Sequence, residues 1–206
     1  MPLVDQYVEN DHSWGLWKIE EEIDFFESSI SYRSSASHPE KIKQQMAARK
    51  MLKDIYPDFP FENVELGIAG KPFLPHSELD FSISHCNGFA AAMVSKSQKV
   101  GIDIEIIHEK VLKIEKKFLS TNELFQLSAL DPMLRITYTT LFWSLKEAFF
   151  KWWGKGGLEF SSDMIVSHFD LNVRGKANMK FSKIPEAEFE MEFSRHHNLW
   201  VARIAK

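Results

Sequence analysis

Three short stretches of this chain bring together residue types able to do acid–base and phosphate chemistry. The first is Gly101-Ile102-Asp103-Ile104-Glu105-Ile106. Side chains alternate between the two faces of a strand. Ile102, Ile104 and Ile106 therefore share an apolar face, while Asp103 and Glu105 project together from the other, roughly 6.6 Å apart at about 3.3 Å per residue. Two like carboxylates held that close repel unless a cation bridges them or one keeps its proton. An all-oxygen set of so few carboxylates suits Mg2+, which retains waters and substrate phosphates in its other positions. Taken alone, the same pair also fits an amphipathic edge strand with a solvated acidic face.

The second stretch is Phe142-Trp143-Ser144-Leu145-Lys146-Glu147-Ala148-Phe149-Phe150-Lys151. On a helix, Trp143, Glu147 and Lys151 recur at i, i+4 and i+8 and share one face, with Leu141, Leu145, Ala148 and Trp152 forming the buried stripe. Glu147 and Lys151 could be an ordinary i,i+4 pair worth about 0.2–0.5 kcal/mol. Beside the strand pair they would instead supply a third carboxylate and a cation, completing the metal ligand, base and acid of a phosphoryl-transfer site. The third stretch joins Gly70-Lys71-Pro72 to Ser84-His85. Lys71 can act as a point charge for phosphate, and His85 as a donor at a strand end. Each is weak separately, since such loops and lone histidines are common.

These residues need elements to hold them. Trp14–Ile19 reads as a strand, residues 20–30 as an acidic helix, and Glu40–Ile55 as a helix ended by Pro57 and Pro60. A meander of strands follows over 64–69, 79–84, 89–94 and 100–107, with Asn87-Gly88 as a hairpin turn. Ser120-Thr121-Asn122-Glu123 has capping-box spacing, and 134–153 reads as one long helix. Strands return at Phe169/Leu171/Val173, Phe189/Met191/Phe193 and 199–204. The map is a mixed α+β chain of two halves, 1–107 and 108–206.

At 206 residues, with 44% hydrophobic and 26% charged side chains, the chain can bury a sizeable, aromatic-rich core. No apolar run reaches the roughly 18 residues of a membrane span, and the acidic start carries no secretory h-region. A single cysteine, Cys86, excludes an internal disulfide and fits a reducing compartment, so a cytoplasmic location is expected. A net charge of −4 with interspersed signs argues against a nucleic-acid binder.

Taken in order, GKPFL at 70–74, ISHCNG at 83–88, VGIDIE at 100–105 and FWSLKEAFFK at 142–151 resemble the 4'-phosphopantetheinyl transferase family, specifically its larger, monomeric, surfactin-synthetase-activating type. The resemblance implies two similar α/β halves related by a pseudo-twofold, with coenzyme A in the cleft between them. It implies Mg2+ on Asp103, Glu105 and Glu147, and Lys151 near the transferred phosphate. Lys71 and His85 would contact coenzyme-A phosphates with Ser84 in support, as would Arg49 in AARKML. The family's basic cluster ahead of that helix is thin here, with Arg33, Lys41 and Lys43 as substitutes. Cys86 stands where serine is usual, which removes a hydroxyl contact but is not a protease dyad with His85. The implied reaction moves the phosphopantetheine arm of coenzyme A to a serine of an apo acyl or peptidyl carrier protein and releases 3',5'-ADP. Glu147, or a water on the metal, would be the base. Residues 108–118, with four lysines among apolar positions, would face an acidic carrier helix or simply solvent. A non-catalytic coenzyme-A or carrier-binding protein and a metal-dependent phosphate-ester hydrolase are the rival readings.

Overall fold

A computed structural model describes residues 3–8, 11–30, 32, 36–67 and 70–206. Two strands, β1 (Leu3–Val8) and β2 (His12–Lys18), open the chain and lead to α1 (Ile23–Ser29) and α2 (Pro39–Ile55). Pro39 at the first turn of α2 sacrifices only an N–H that has no intrahelical partner. A 3₁₀ turn (Phe61–Asn63) and the short pair β3 (Glu65–Leu66) and β4 (Pro72–Phe73) precede β5 (Asp80–Cys86), β6 (Phe89–Ser95) and β7 (Val100–Ile106). Gly88, at φ +75°, takes the left-handed position that lets β5 turn directly into β6.

A 3₁₀ turn (Glu109–Lys113), α3 (Glu115–Phe118), α4 (Thr121–Ser128), α5 (Pro132–Trp153) and α6 (Phe160–Asp163) follow. Four strands close the described chain: β8 (Met164–Phe169), β9 (Arg174–Phe181), β10 (Glu188–His196) and β11 (Leu199–Ala205). The capping box forms as its spacing requires: the Glu123 carboxylate accepts the Ser120 N–H at 2.7 Å, and the Ser120 hydroxyl accepts the Glu123 N–H at 3.3 Å. Asp131 caps α5 by accepting the N–H groups of Met133 and Leu134, and left-handed Gly154 ends it.

The first sheet runs β1-β2-β6-β5 and the second β7-β11-β10-β9-β8. Trp14, Leu16, Ala91 and Met93 of the first meet Val100, Ile102, Ile104, Leu199 and Val201 of the second in one apolar layer. The helices α1 and α2 cover the outer face of the first sheet, and α5 covers the outer face of the second. The expected α/β mixture and stripe are present: Leu141, Leu145 and Ala148 are fully buried and Trp152 nearly so. Strand β7 precedes the boundary drawn at 107/108, yet it pairs with β11 in the second sheet.

Several expected elements differ. The helix expected over 20–30 begins at Ile23, and the strand expected over 64–69 is only Glu65–Leu66 among its described residues, since 68 and 69 lie outside them. The strand read through Phe169, Leu171 and Val173 stops at Phe169. Asp170 turns the chain there, its carboxylate accepting the Lys176 N–H, and leaves Leu171 and Val173 exposed. The alternation that counts lies one strand on, where Ala177, Met179 and Phe181 of β9 are buried. Residues 109–118 hold a 3₁₀ turn and the single turn of α3. Among the described residues, no helix is long and apolar enough to cross a membrane.

Candidate active site

The edges β5 and β7 lie side by side without a backbone ladder. Side chains do the joining: Asp80 Oδ2 accepts the Val100 N–H at 2.7 Å, Ser82 Oγ the Ile102 N–H at 3.1 Å and Ser84 Oγ the Ile104 N–H at 3.3 Å. Every second amide of β7 is thereby satisfied by every second side chain of β5, a match of two period-2 patterns.

The other face of β7 packs against α5, and Gly101 allows it. A Cβ at Gly101 would sit 2.1 Å from the Ala148 carbonyl oxygen and 2.8 Å from the Trp152 nitrogen, both backbone atoms. Only glycine lets strand and helix approach so closely. Asp103 and Glu105, two and four residues further on the same face, then point at the Trp143/Glu147/Lys151 face of α5. Lys151 Nζ donates to Asp103 Oδ1 at 2.8 Å and to the Ile102 carbonyl at 3.2 Å, and Trp143 Nε1 donates to Glu105 Oε1 at 3.0 Å. Ser84 donates to Asp103 Oδ1 at 2.9 Å. Lys151 thus pairs with a strand residue 48 positions away, so the face it shares with Glu147 serves the strand.

Burial and mutual repulsion set the electrostatics. Burial first, and the Asp103 charge second, push the Glu147 carboxyl up to about 7, with Lys151 opposing. Glu105 is raised by the same two causes, opposed by the Trp143 hydrogen bond and Lys151. Burial, followed by Glu105 and Asp103, holds the Cys86 thiol well above its ordinary range, so it is no nucleophile.

Asp103, Glu105, Glu147 and Lys151 come together. Lys71 and Glu147 line a cleft of about 220 Å³ with Gly70, Pro72, Ser82, Ile83, Phe150, Lys151 and Gly154. Lys71 itself is engaged there, donating to Asp80 and to the Val100 carbonyl, each at 3.3 Å. His85 belongs to a cationic neighbourhood: burial, then the charges of Lys151, Arg49 and Lys41, hold its imidazole below the ordinary value. Arg49 stacks on Tyr32 with its guanidinium carbon 3.6 Å from the ring centre. Ser84 is buried and its hydroxyl is committed to Asp103, which makes it a strut for that carboxylate in this arrangement. Arg33 lies outside the described residues.

Among the described residues, no three His, Cys, Asp or Glu side chains are gathered round one point in a metal-holding arrangement. Lys151 and Trp143 divide the two strand carboxylates between them. The donor set is nonetheless one a hard divalent ion would fit. Asp103 Oδ2 is buried and has no hydrogen-bond partner, and two further carboxylates, each raised by the Asp103 charge, stand beside it.

Sequence reasoning gave no role to Trp143 or Gly101, nor to Asp80 and Ser82. A signal existed for each: Trp143 shares the helical face of Glu147 and Lys151, and residues 80, 82 and 84 alternate in register with 100, 102 and 104.

Comparison with known proteins adds to this geometry. A family model described as the 4'-phosphopantetheinyl transferase superfamily matches residues 99–204, more than half of the chain. A 4'-phosphopantetheinyl transferase of Bacillus subtilis is 38% identical over 88 residues, 42% of this chain and 39% of that protein. The 4'-phosphopantetheinyl transferase Sfp of Bacillus subtilis (strain 168) is 40% identical over 117 residues, 56% of this chain and 51% of the relative. The 4'-phosphopantetheinyl transferase gsp of Aneurinibacillus migulanus is 32% identical over 114 residues, 54% and 47%. The chain spans about half the length of the curated relatives it matches.

Proposed function

Because this chain belongs to the 4'-phosphopantetheinyl transferase superfamily, we propose that it transfers the phosphopantetheine arm of coenzyme A to a serine of an apo carrier protein. The observation that carries this reading is the meeting of Asp103 and Glu105 of β7 with Glu147 and Lys151 of α5, inside the region the family model covers. The two sheets are read as two α/β halves, with coenzyme A in the cleft beside the β5–β7 seam.

Asp103, Glu105 and Glu147 would hold Mg2+. When bound it would neutralise the coenzyme-A diphosphate and make the phosphorus more electrophilic. The remaining chemistry falls to side chains. Glu147 takes the proton of the carrier serine as its oxygen bonds to the phosphorus next to the pantetheine. The bond from that phosphorus to the bridging oxygen breaks, and 3',5'-ADP leaves with its new charge met by Lys151. Base assistance of this kind contributes about 10²–10⁴-fold. Lys71, His85 and Arg49 would hold the phosphates, and a cation-rich wall with a neutral imidazole suits a polyanion.

The direct test incubates the protein with coenzyme A, Mg2+ and a panel of apo carriers, with mass spectrometry reading one added phosphopantetheine per carrier. No adduct on any carrier would refute the reading, and phosphate release without a carrier would point to a hydrolase.

The carrier would dock beside Glu105. A groove of about 260 Å³ opens there between Ile106, Val111, Ile114 and Trp143, with Lys110 and His108 at its edge. Lys110, Lys113, Lys116 and Lys117 are exposed, whereas Val111 is buried and Leu112 and Ile114 are half-buried. Lysines at a rim steer an acidic partner and change its association rate. Reversing Lys113, Lys116 and Lys117 to Glu should raise the KM for the carrier several-fold at low salt and less at high salt, with coenzyme-A binding unchanged. Carrier kinetics that match wild type at low ionic strength would leave these lysines as a solvated face.

A further inference from the structure

Lys151 stands at a junction. Its ammonium donates to Asp103 Oδ1 at 2.8 Å and to the Ile102 carbonyl at 3.2 Å, while the side chain remains 23% exposed on the cleft it shares with Lys71 and Glu147. Asp103 is only 5% exposed, and its two oxygens differ. Oδ1 receives Lys151 and Ser84, whereas Oδ2 is buried without a partner. One positive charge thus already compensates the carboxylate that would hold a divalent ion, and a second, double charge brought to Oδ2 would be repelled across one carboxyl group.

We propose that Lys151 is a shared counter-ion that couples the two ligands: a phosphate group in the cleft draws the ammonium off Asp103, and Asp103, relieved of it, binds the divalent cation more tightly. The inference rests on the metal assignment made above and goes beyond it, because it gives Lys151 an effect on cation affinity that opposes its effect on turnover. By linkage the coupling is reciprocal. The ion then strengthens phosphate binding not only by direct contact but by freeing Lys151 for the phosphate. Ser84, donating to the same oxygen and bonded to the Ile104 N–H, keeps Asp103 oriented when the lysine departs.

The experiment is a Mn2+ titration of the whole protein followed by the electron paramagnetic resonance signal of free Mn2+, without nucleotide and then with 3',5'-ADP. Without nucleotide, Lys151→Met should bind Mn2+ about tenfold more tightly than wild type, whereas Lys151→Arg, which keeps the charge, should stay close to wild type. With 3',5'-ADP, wild type should gain more affinity than Lys151→Met gains. Asp103→Asn is the control that separates the two readings. If it removes Mn2+ binding but Lys151→Met binds no more tightly than wild type, the coupling is overturned and the metal site stands. If it leaves Mn2+ binding unchanged, the metal assignment fails and the coupling falls with it. Circular dichroism of each variant excludes unfolding, and weaker binding by a folded Lys151→Met also overturns the coupling, since it would make the lysine a support for the site.

Discussion

Asp103→Asn should lower transfer turnover by about 10²–10³-fold, the range seen when one preorganised charge is lost from a buried reaction centre, while the protein remains folded. Asparagine keeps the shape of the side chain, and its carbonyl can still accept the Ser84 hydroxyl. What disappears is the charge that Lys151 meets at 2.8 Å and that the partnerless Oδ2 would offer to a cation. The same charge is the second cause, after burial, holding the Glu147 carboxyl up at about 7. Removing it should therefore lower the pKa of that carboxyl in the metal-free protein. Turnover at saturating coenzyme A and carrier, measured beside far-ultraviolet circular dichroism, checks the prediction. An Asn variant within threefold of wild type would show that the strand carboxylates are an acidic edge and nothing more.

Lys146→Met should cost about 3–5 kcal/mol of stability, the usual cost of removing one partner of a buried ion pair and leaving the other charge uncompensated. Lys146 lies in the middle of the α5 motif yet is completely buried, as is its partner Glu123. Its ammonium donates to Glu123 Oε2 at 2.8 Å, the Phe118 carbonyl at 2.6 Å and the Phe160 carbonyl at 3.0 Å. Glu123 in turn accepts the N–H groups of Ser120 and Val166. One lysine thereby ties α5 to α3, α4, α6 and, through Glu123, β8. All three of its protons are used, which is the condition under which a buried charge is tolerated. Methionine fills the space but takes the ammonium from two carbonyls and leaves the buried Glu123 charge uncompensated, held only by the Ser120 and Val166 N–H groups. Chemical denaturation should show the midpoint shift, with the thermal midpoint lower by on the order of 10 °C. A loss under 1 kcal/mol would mean that the network adds little. Because Glu147 and Lys151 ride on the same helix, this variant should lose activity only through the unfolded fraction, with normal turnover below its melting range.

Much of this was legible in the chain. Short apolar stretches bounded by turn residues marked β2, β5, β6, β7 and β11, strands largely buried on both faces, and apolar alternation marked β10. The Ser120/Glu123 capping box was legible because local hydrogen bonding needs only neighbours. Residues 143, 147 and 151 were placed on one helical face by the 3.6-residue turn, and 103 and 105 on one strand face by the pleat. Where the sequence misled, local turn chemistry or an edge position had overridden alternation, as at Asp170, Leu171 and Val173, or had hidden a strand, as with β1. What no local rule could supply was who meets whom. Helical spacing offered Glu147 as the partner of Lys151, yet the ammonium reaches Asp103. Lys146 reads as one more helix lysine and lies in the core, while Ser84 reads as a ligand contact and braces a carboxylate. The first outcome depends on a strand and a helix nearly 50 residues apart approaching at Gly101, closer than any side chain permits; the others depend on α3, α4 and α6 closing round Lys146 and on the β5–β7 seam. A period fixes the face on which a residue stands; only the packed sheets and helix decide what that face touches.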